Sequence, residues 1–84
     1  MKTIEWTNKA RKQLKRIPKQ YIDAIDESVK KLVTFPHCEN LDIRPLHNHR
    51  YEYRLRVGRY RIFFNEKIII ISIQEVKKRD ERTY

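Results

Sequence analysis

Residues Tyr51 to Phe64 read YEYRLRVGRYRIFF, and the character of the side chain changes at nearly every position of this stretch. Side chains of a β-strand point alternately to its two faces, so a period of two predicts strands with one apolar and one cationic face. Gly58 permits a tight turn between two such strands. The predicted apolar face carries Tyr51, Tyr53, Leu55, Val57, Tyr60, Ile62 and Phe64, and the opposite face carries Arg50, Glu52, Arg54, Arg56, Arg59 and Arg61.

A third strand is predicted directly after this hairpin. The run KIIIISIQEV, residues 67–76, is nearly continuously apolar and β-branched, which is typical of a central strand covered on both faces. Residues 65–67 predict the turn that leads into it. The three strands therefore form an antiparallel meander, which is followed by the charged tail KKRDERTY.

The first half of the chain has the periodicity of helices. The segment TIEW, residues 3–6, predicts a short opening strand, and Thr7 or Asn8 can cap the basic helix that follows. Pro18 breaks this helix and suits the first turn of a second one. The apolar stripes of the two helices are Ala10, Leu14 and Ile17, and then Ile22, Ile25, Val29, Leu32 and Val33.

Together these elements predict a single α+β domain over residues 1–84, in the order β-α-α-β-β-β. The N-terminal strand and the helical hairpin are expected to pack on a small antiparallel sheet, because the apolar stripes must be buried against one of its faces. The stretch FPHCENLDIRP, residues 35–45, is predicted to be irregular.

Charge and size restrict the function. The chain has 84 residues and carries 20 lysines and arginines against 11 acids, a net charge of +9. So strong a field indicates a polyanionic partner: nucleic acid, the ribosome, an acidic protein or an anionic membrane. The length and the single glycine exclude Rossmann and P-loop folds. The lone Cys38 and the N-terminal sequence indicate a reducing cytoplasm, and no apolar run is long enough to span a bilayer.

Arginine, rather than lysine, fills the cationic face. A guanidinium group forms paired hydrogen bonds with phosphate oxygens and stacks on nucleic-acid bases. The face is therefore predicted to contact phosphate, although the pattern also fits a solvated sheet surface whose arginine stems cover apolar groups. The candidate phosphate-binding residues are Arg50, Arg54, Arg56, Arg59, Lys77 and Lys78.

Other reactive residue types give weaker signals. His47 and His49 flank the start of the strand, and either is a candidate acid or base or simply a surface residue, since histidine titrates near neutrality. His37, Cys38 and these two histidines follow no strong zinc-binding spacing. Neither a metal nor another cofactor is therefore expected.

Four features resemble the RelE/ParE superfamily of toxins from bacterial toxin–antitoxin systems. They are the segment YEYRLRVGRYRIFF, of which YRLRVGRYRI is the most specific piece, the aliphatic strand IIIISI, the small helical hairpin and the basic ending KKRDERTY with its terminal tyrosine. The resemblance extends over essentially the whole chain. It implies a RelE/ParE-like fold and an acidic, partly disordered antitoxin as partner.

The RelE branch implies a metal-independent endoribonuclease that cleaves mRNA on the ribosome and arrests translation. By resemblance, Arg61 stabilises the phosphate, and Arg54 falls where that branch often has a lysine or arginine. Arg79 and Tyr84 are similar to its C-terminal arginine and tyrosine. Glu52 departs from the pattern, because a well-studied RelE type has a lysine there. Its carboxylate is either the general base or only the ion-pair partner of a neighbouring arginine.

The ParE branch implies a different function on the same fold, the inhibition of DNA gyrase without chemistry of its own. Glu52 favours this alternative, whereas the arginine and tyrosine of the C-terminal end favour the ribonuclease. The ribonuclease is the expected function, with mRNA and the ribosome as partners and with neither a membrane nor a small-molecule cofactor.

Overall fold

The structure, a computed structural model that describes residues 1–78, confirms the predicted order of helices and strands and adds one strand before the predicted meander. Two helices stand between the first strand and the others, and a short 3-10 helix follows the second of them. The elements are β1 (Thr3–Trp6), α1 (Asn8–Lys15), α2 (Lys19–Lys30), the 3-10 helix (Lys31–Thr34), β2 (Asp42–Pro45), β3 (Tyr53–Val57), β4 (Tyr60–Lys67) and β5 (Ile70–Lys78).

Five strands form one sheet in the order β1-β5-β4-β3-β2. The predicted antiparallel meander is present as β3, β4 and β5, and β2 extends it antiparallel to β3. β1 pairs with β5 in parallel, so the sheet is mixed and β5 lies in its interior. Parallel neighbours need a long connection, and here that connection holds both helices and three strands.

β2 lies within residues 35–45, the stretch predicted to be irregular. Its sequence DIRP contains Asp and Pro, which are depleted in strands, so local composition gives no strand signal. Pairing with β3 orders it: Ile43 lies opposite Leu55 and packs against the core. The edge of a sheet tolerates Pro45, because an edge strand does not need every ladder hydrogen bond.

Both helices begin with an identifiable cap. Thr7 caps α1, where its side chain accepts a hydrogen bond from the Ala10 amide at 3.1 Å. Pro18 is the N-cap of α2 rather than part of its first turn. The α-helix ends at Lys30, and the apolar stripe continues into the 3-10 helix with the buried Leu32. Within residues 1–78 no helix combines the length and the hydrophobicity that crossing a membrane requires.

The core lies between the helices and one face of the sheet. Every second residue of the central strands forms one side of this core, and the apolar stripes of the helices form the other. Each large side chain buried here stabilises the fold by about 1.5–3 kcal/mol relative to exposure. Among the described residues, the largest fully buried side chains are Ile25, Val29, Leu32, Leu55, Ile62, Phe64, Ile71 and Ile73.

The aliphatic run divides differently from the prediction. The turn is predicted at residues 65–67, but β4 continues through this range, and Ile68 and Ile69 form the turn instead. In β5 the buried Ile71 and Ile73 alternate with less buried residues, so the expectation of cover on both faces is wrong. The core selects this register, because a slip by one residue would expose both isoleucines.

A bulge interrupts the pairing of β4 with β5. Phe64 lies opposite Ile73, whereas Phe63 lies opposite Glu75, so Gln74 is an extra residue in β5. The extra residue reverses the alternation of faces after Ile73. Glu75 therefore points away from the helices, towards the face that carries the arginines.

Candidate functional site

Three cations form a row across the face of the sheet that is turned away from the helices. Arg56 of β3 lies opposite Arg61 of β4, and Arg61 lies opposite Lys77 of β5. Directly opposed residues have Cβ atoms about 4.5–5.5 Å apart, and like charges at this distance repel each other. An anion that binds across them would relieve this repulsion. We call these three residues the cationic row.

The carboxylate nearest the end of the cationic row is engaged elsewhere. Asp42 lies opposite Arg56, but its Oδ1 accepts a hydrogen bond from Arg54 Nη2 at 3.0 Å. Within residues 1–78, no ion pair involves Arg56 or Arg61. The two arginines of the row therefore keep their positive charge available to a ligand.

Arg54 and Arg61 are half-buried, because neighbouring side chains cover their stems. The Nε atom of each is shielded from solvent and has no hydrogen-bond partner in the described part of the chain. A shielded donor without an acceptor is costly, and a phosphate oxygen is a strong acceptor for a guanidinium group. An anion from solvent cannot reach these shielded Nε atoms, so contact with phosphate falls to the terminal nitrogens of the guanidinium groups.

Aromatic side chains border the cationic row next to Arg54. Phe63 lies opposite Arg54 and is stacked on His49, with ring centroids 5.3 Å apart. The ring of Tyr51 packs on Phe63 with centroids 5.6 Å apart. His49 Nδ1 accepts a hydrogen bond from the Tyr51 amide at 3.1 Å. This bond orients the imidazole, and because Nδ1 accepts, the neutral ring carries its proton on Nε2.

The prediction that Tyr51 faces the helices is wrong. β3 begins only at Tyr53, so the alternation of its side chains does not extend back to Tyr51. Tyr53 does face the helices, where its ring stacks on Phe64. Tyr51 is buried on the opposite face, where its hydroxyl donates a hydrogen bond to Glu75 Oε2 at 2.9 Å.

Glu75 is a buried acid within this cluster, with an exposed fraction of 5%. Besides Tyr51, its carboxylate contacts Gln13 and Lys9 of α1, both at 3.4 Å, and Lys77 at 3.6 Å. Burial raises the pKa of Glu75, but these hydrogen bonds and positive charges outweigh it and hold the pKa below its ordinary value. Burial, together with the bond to Glu75, raises the pKa of Tyr51. The ionised carboxylate therefore ties α1 to the arginine face.

Glu52 lies outside this arrangement. Its carboxylate accepts a hydrogen bond from the Glu66 amide at 2.7 Å, and its own amide donates to Asn65 Oδ1 at 2.8 Å. Glu66 is five residues beyond Arg61 in β4, roughly 16 Å at about 3.3 Å per residue. The structure does not bring the Glu52 carboxylate to Arg61, and within residues 1–78 it pairs with no arginine.

The other predicted contacts are spread around the cationic row. Arg50 precedes β3 and holds its guanidinium carbon 5.8 Å from the centroid of a neighbouring tyrosine ring. Arg59 is exposed in the turn between β3 and β4. Lys78 lies opposite Tyr60, which places it on the helix-facing side of the sheet. Two further predicted residues, Arg79 and Tyr84, lie outside the described residues.

The predicted loop histidines and the cysteine do not converge. In the described part of the chain no three residues among His, Cys, Asp and Glu lie close enough to hold a metal ion. Cys38 Sγ instead donates a hydrogen bond to the Lys31 carbonyl at 3.3 Å. His47 is exposed, and it does not join the aromatic cluster around Phe63.

Sequence reasoning overlooked the aromatic and acidic part of this site. Phe63 follows Arg61 by two positions, so the alternation itself signals that it lies on the arginine face. Glu75 carries no such signal, because the bulge at Gln74 changes the face of every later residue in β5. Lys9 reaches the site from α1, a contact that no local pattern predicts.

A protein family and several solved structures match the chain. The family described as ParE toxin of type II toxin-antitoxin system, parDE, matches residues 4–82. No curated protein sequence matches the chain. The RelE–RelB complex from Pyrococcus horikoshii OT3 contains a chain that is 26% identical, with a TM-score of 0.77, over 95% of this chain and 97% of that one.

Two more solved complexes contain chains with the same fold. The RelB–RelE antitoxin–toxin complex from Methanococcus jannaschii matches with 23% identity and a TM-score of 0.74, over 88% of both chains. The toxin–antitoxin complex RelBE2 from Mycobacterium tuberculosis matches with 21% identity and a TM-score of 0.74, over 93% of this chain and 98% of that one.

Proposed function

The chain belongs to the ParE toxin family of type II toxin–antitoxin systems, and we propose that this toxin is a metal-independent endoribonuclease that cleaves mRNA on the ribosome. The cationic row is the observation that carries the proposal. Three adjacent cations on a rigid sheet match the charge of a nucleic-acid backbone, and guanidinium groups bind phosphate in paired hydrogen bonds.

The reaction needs no metal if the protein supplies charge and proton transfer. The 2′-hydroxyl of a nucleotide loses its proton, and its oxygen attacks the adjacent phosphorus. The bond from phosphorus to the 5′-oxygen breaks, that oxygen takes up a proton, and a 2′,3′-cyclic phosphate remains. Negative charge grows on the phosphate oxygens in the transition state, so preorganised cations stabilise it. In this proposal Arg61 contacts the phosphate, with Arg56 and Lys77 on either side.

Proton transfer requires a group that reaches the 2′-hydroxyl or the 5′-oxygen. His49 suits the role of proton donor to the 5′-oxygen, because its ring is stacked on Phe63 of the arginine face and its Nδ1 accepts the Tyr51 amide, which leaves the proton on Nε2. Glu52 could transfer a proton only after its carboxylate released the Glu66 amide. Arg79 and Tyr84 stay in the proposal through the resemblance, as a second phosphate contact and as a base-stacking or proton-transfer group.

Cleavage is tested by primer extension on translated mRNA after induction of the toxin. We expect new 5′ ends inside the translated region for the unaltered protein. Arg61→Ala should reduce them by about 10²–10³-fold, the usual effect of losing one charge-stabilising donor. Lys30→Ala is the matched control, because Lys30 lies on α2 in a pair with Asp26. Intact transcripts in growth-arrested cells would exclude the ribonuclease.

The second candidate function is inhibition of DNA gyrase. It is favoured by the matching family, whose description names the parDE system, and by the engagement of Glu52 with a backbone amide. A supercoiling assay with purified gyrase separates the two functions. Inhibition at micromolar toxin together with uncut mRNA would support this candidate, and undisturbed supercoiling would exclude it.

A cognate antitoxin is the expected partner in either function. The solved relatives are toxins in complex with RelB antitoxins, and the net charge of +9 favours an acidic polypeptide. Coexpression of the polypeptide encoded by the adjacent reading frame should restore growth. Continued arrest with that polypeptide present would count against the pairing.

A further inference from the structure

The two hairpins of the sheet have loops of equal length but unlike residues. Pairing of the flanking residues leaves Gly58 and Arg59 as the loop between β3 and β4, and Ile68 and Ile69 as the loop between β4 and β5. The first residue of each loop has a positive φ, +57° for Gly58 and +44° for Ile68. The same backbone position is thus filled by a glycine in one hairpin and by a β-branched residue in the other.

Ile68 is a residue type that its backbone conformation disfavours. Two-residue hairpin loops with a positive φ at the first position select glycine, asparagine or aspartate, and β-branched residues are outliers there. Its side chain does not compensate by packing, since 89% of Ile68 and 62% of Ile69 is exposed. The core of the isolated fold therefore does not account for an apolar pair at this position. We call these two residues the isoleucine tip.

A groove leads away from the isoleucine tip along the 3-10 helix. Its first part has a volume of about 340 Å³ and is also lined by Val33 and Phe35. Its second part, of about 460 Å³, shares Val33 with the first and extends to Cys38. The tip is therefore the end of a longer surface that can receive an extended or helical segment.

Nucleic acid does not suit this groove. The tip lies seven residues beyond Arg61 in the chain, roughly 23 Å at about 3.3 Å per residue. Among the described residues that line the groove none is an arginine, and the tip is aliphatic. Binding of RNA uses cations along the backbone and aromatic rings under the bases. The chemistry of the groove fits a polypeptide instead.

A second copy of this chain does not suit it either. Two bodies with a net charge of +9 repel each other. A stable interface buries about 800 Å² on each partner, more than two side chains and a narrow groove provide. An occupant must therefore extend beyond the tip onto the basic surface around it. The groove itself carries both signs of charge, since Glu27 and Glu39 line it beside Lys2, Lys30 and Lys31. Beyond the groove, the net charge of +9 favours an acidic occupant.

We propose that the cognate antitoxin inserts apolar side chains of an acidic segment at the isoleucine tip and its groove. This inference depends on the pairing with an antitoxin in the proposed function and specifies where on the toxin that pairing is made. The tip and the cationic row stand at opposite ends of β4. Substitution of the isoleucine tip should therefore weaken binding of the antitoxin without reducing the activity of the toxin.

The test uses the full toxin and the purified polypeptide encoded by the adjacent reading frame. The variant is Ile68→Asn combined with Ile69→Thr, because Asn adopts a positive φ readily and Thr keeps the branched shape of Ile69. Tyr21→Ser is the control, since Tyr21 is an exposed aromatic residue away from the tip. We expect the Kd of the double variant to rise tenfold or more, and that of Tyr21→Ser to stay within about twofold.

Three further measurements decide the interpretation. The double variant should keep or raise its thermal midpoint, since Asn relieves the strain at position 68. It should also bind RNA as the unaltered toxin does and arrest growth even with the antitoxin present. Unchanged affinity of the double variant, or an equal loss in Tyr21→Ser, would overturn the inference while the pairing itself stands. A dimer that the double variant abolishes, or a loss of RNA binding, would assign the tip to another occupant and overturn it too. If the unaltered toxin does not bind the polypeptide, the pairing fails and the inference fails with it.

Discussion

Gly58 shows how one backbone angle decides the cost of a substitution. Its φ is +57°, and a Cβ added there would meet no atom within 4 Å. Gly58→Ala should therefore lose only conformational energy, about 1–2 kcal/mol of the free energy of unfolding. Gly58→Asn should lose less, because Asn tolerates the left-handed region. Urea denaturation measures both, and an alanine variant as stable as the unaltered protein would contradict the strain.

Glu75 makes stability depend on pH in a predictable direction. Its pKa in the folded protein lies below the ordinary value of 4.5, so its contribution is present above that pH and is lost as the pH falls through the folded pKa. Glu75→Gln should therefore lower the free energy of unfolding at pH 7, by about 1.5–3 kcal/mol for hydrogen bonds to a charged group. The difference from the unaltered protein should shrink well below pH 4.5.

Urea unfolding at pH 7 and at successively lower pH measures this difference. The exposed Glu39 provides the control, since Glu39→Gln removes an equal charge from the surface. A destabilisation by Glu75→Gln that stays constant as the pH falls would show that packing, rather than ionisation, is responsible.

At the scale of elements, side chains at α1 form hydrogen bonds with the backbone of β5 that a neighbouring strand would otherwise form. β1 pairs only with the first half of β5, from Ile70 to Ile73. Beyond that point Gln13 Oε1 accepts a hydrogen bond from the Val76 amide at 2.6 Å, and Thr7 Oγ1 donates one to the Gln74 carbonyl at 3.2 Å. Side chains thus satisfy the exposed edge and protect it against pairing with another chain.

Gln13→Leu tests whether the Gln13 side chain takes the place of a neighbouring strand at this edge of β5. It leaves the Val76 amide without its acceptor, which should cost about 1–3 kcal/mol. Hydrogen exchange should report faster exchange at that amide, and Gln20→Leu on the exposed part of α2 should change neither quantity. Unaltered protection of the Val76 amide in the Gln13 variant would argue against this role.

The elements differ in how far sequence predicts them. The helices, β3 and β4 follow from periodicity, because their buried residues recur at 3.6 or 2 positions. β2 is held by its pairing with β3 and carries no strand signal of its own. Alternation also places Arg54, Arg56 and Arg61 on one face, as the structure confirms. It fails for Tyr51, which precedes the strand, and for Glu75, which follows a bulge.

At the scale of the whole molecule, charge is the dominant property. The net charge of +9 attracts any polyanion, whereas the cationic row should make the closest contacts. These two effects differ in their dependence on salt. A phosphate contact releases counterions, and the logarithm of the association constant then falls with the logarithm of salt concentration by about 0.7 for each contact to a single strand.

Removing a phosphate contact should therefore make the association constant less dependent on salt, which means a smaller slope of its logarithm against the logarithm of salt concentration. We expect Arg56→Ala and Lys77→Ala each to reduce it by about 0.7 for binding to single-stranded RNA. Lys30→Ala removes the same charge from α2 and should leave the slope nearly unchanged. Fluorescence anisotropy across a salt series measures it. An equal reduction by all three substitutions would indicate diffuse attraction rather than a bound phosphate.

The bulge at Gln74 decides to which face of the sheet each later side chain of β5 points. Strict alternation after Ile73 would turn Glu75 into the apolar core and Val76 out to solvent, but the extra residue exchanges their places. Deleting Gln74 would therefore remove the bulge and leave each later side chain of β5 on the face that it occupies now. Pairing β4 with β5 without the bulge while Gln74 is still present would instead turn each later side chain to the wrong face. One unpaired residue thus decides which side chains at the end of β5 reach the arginine face.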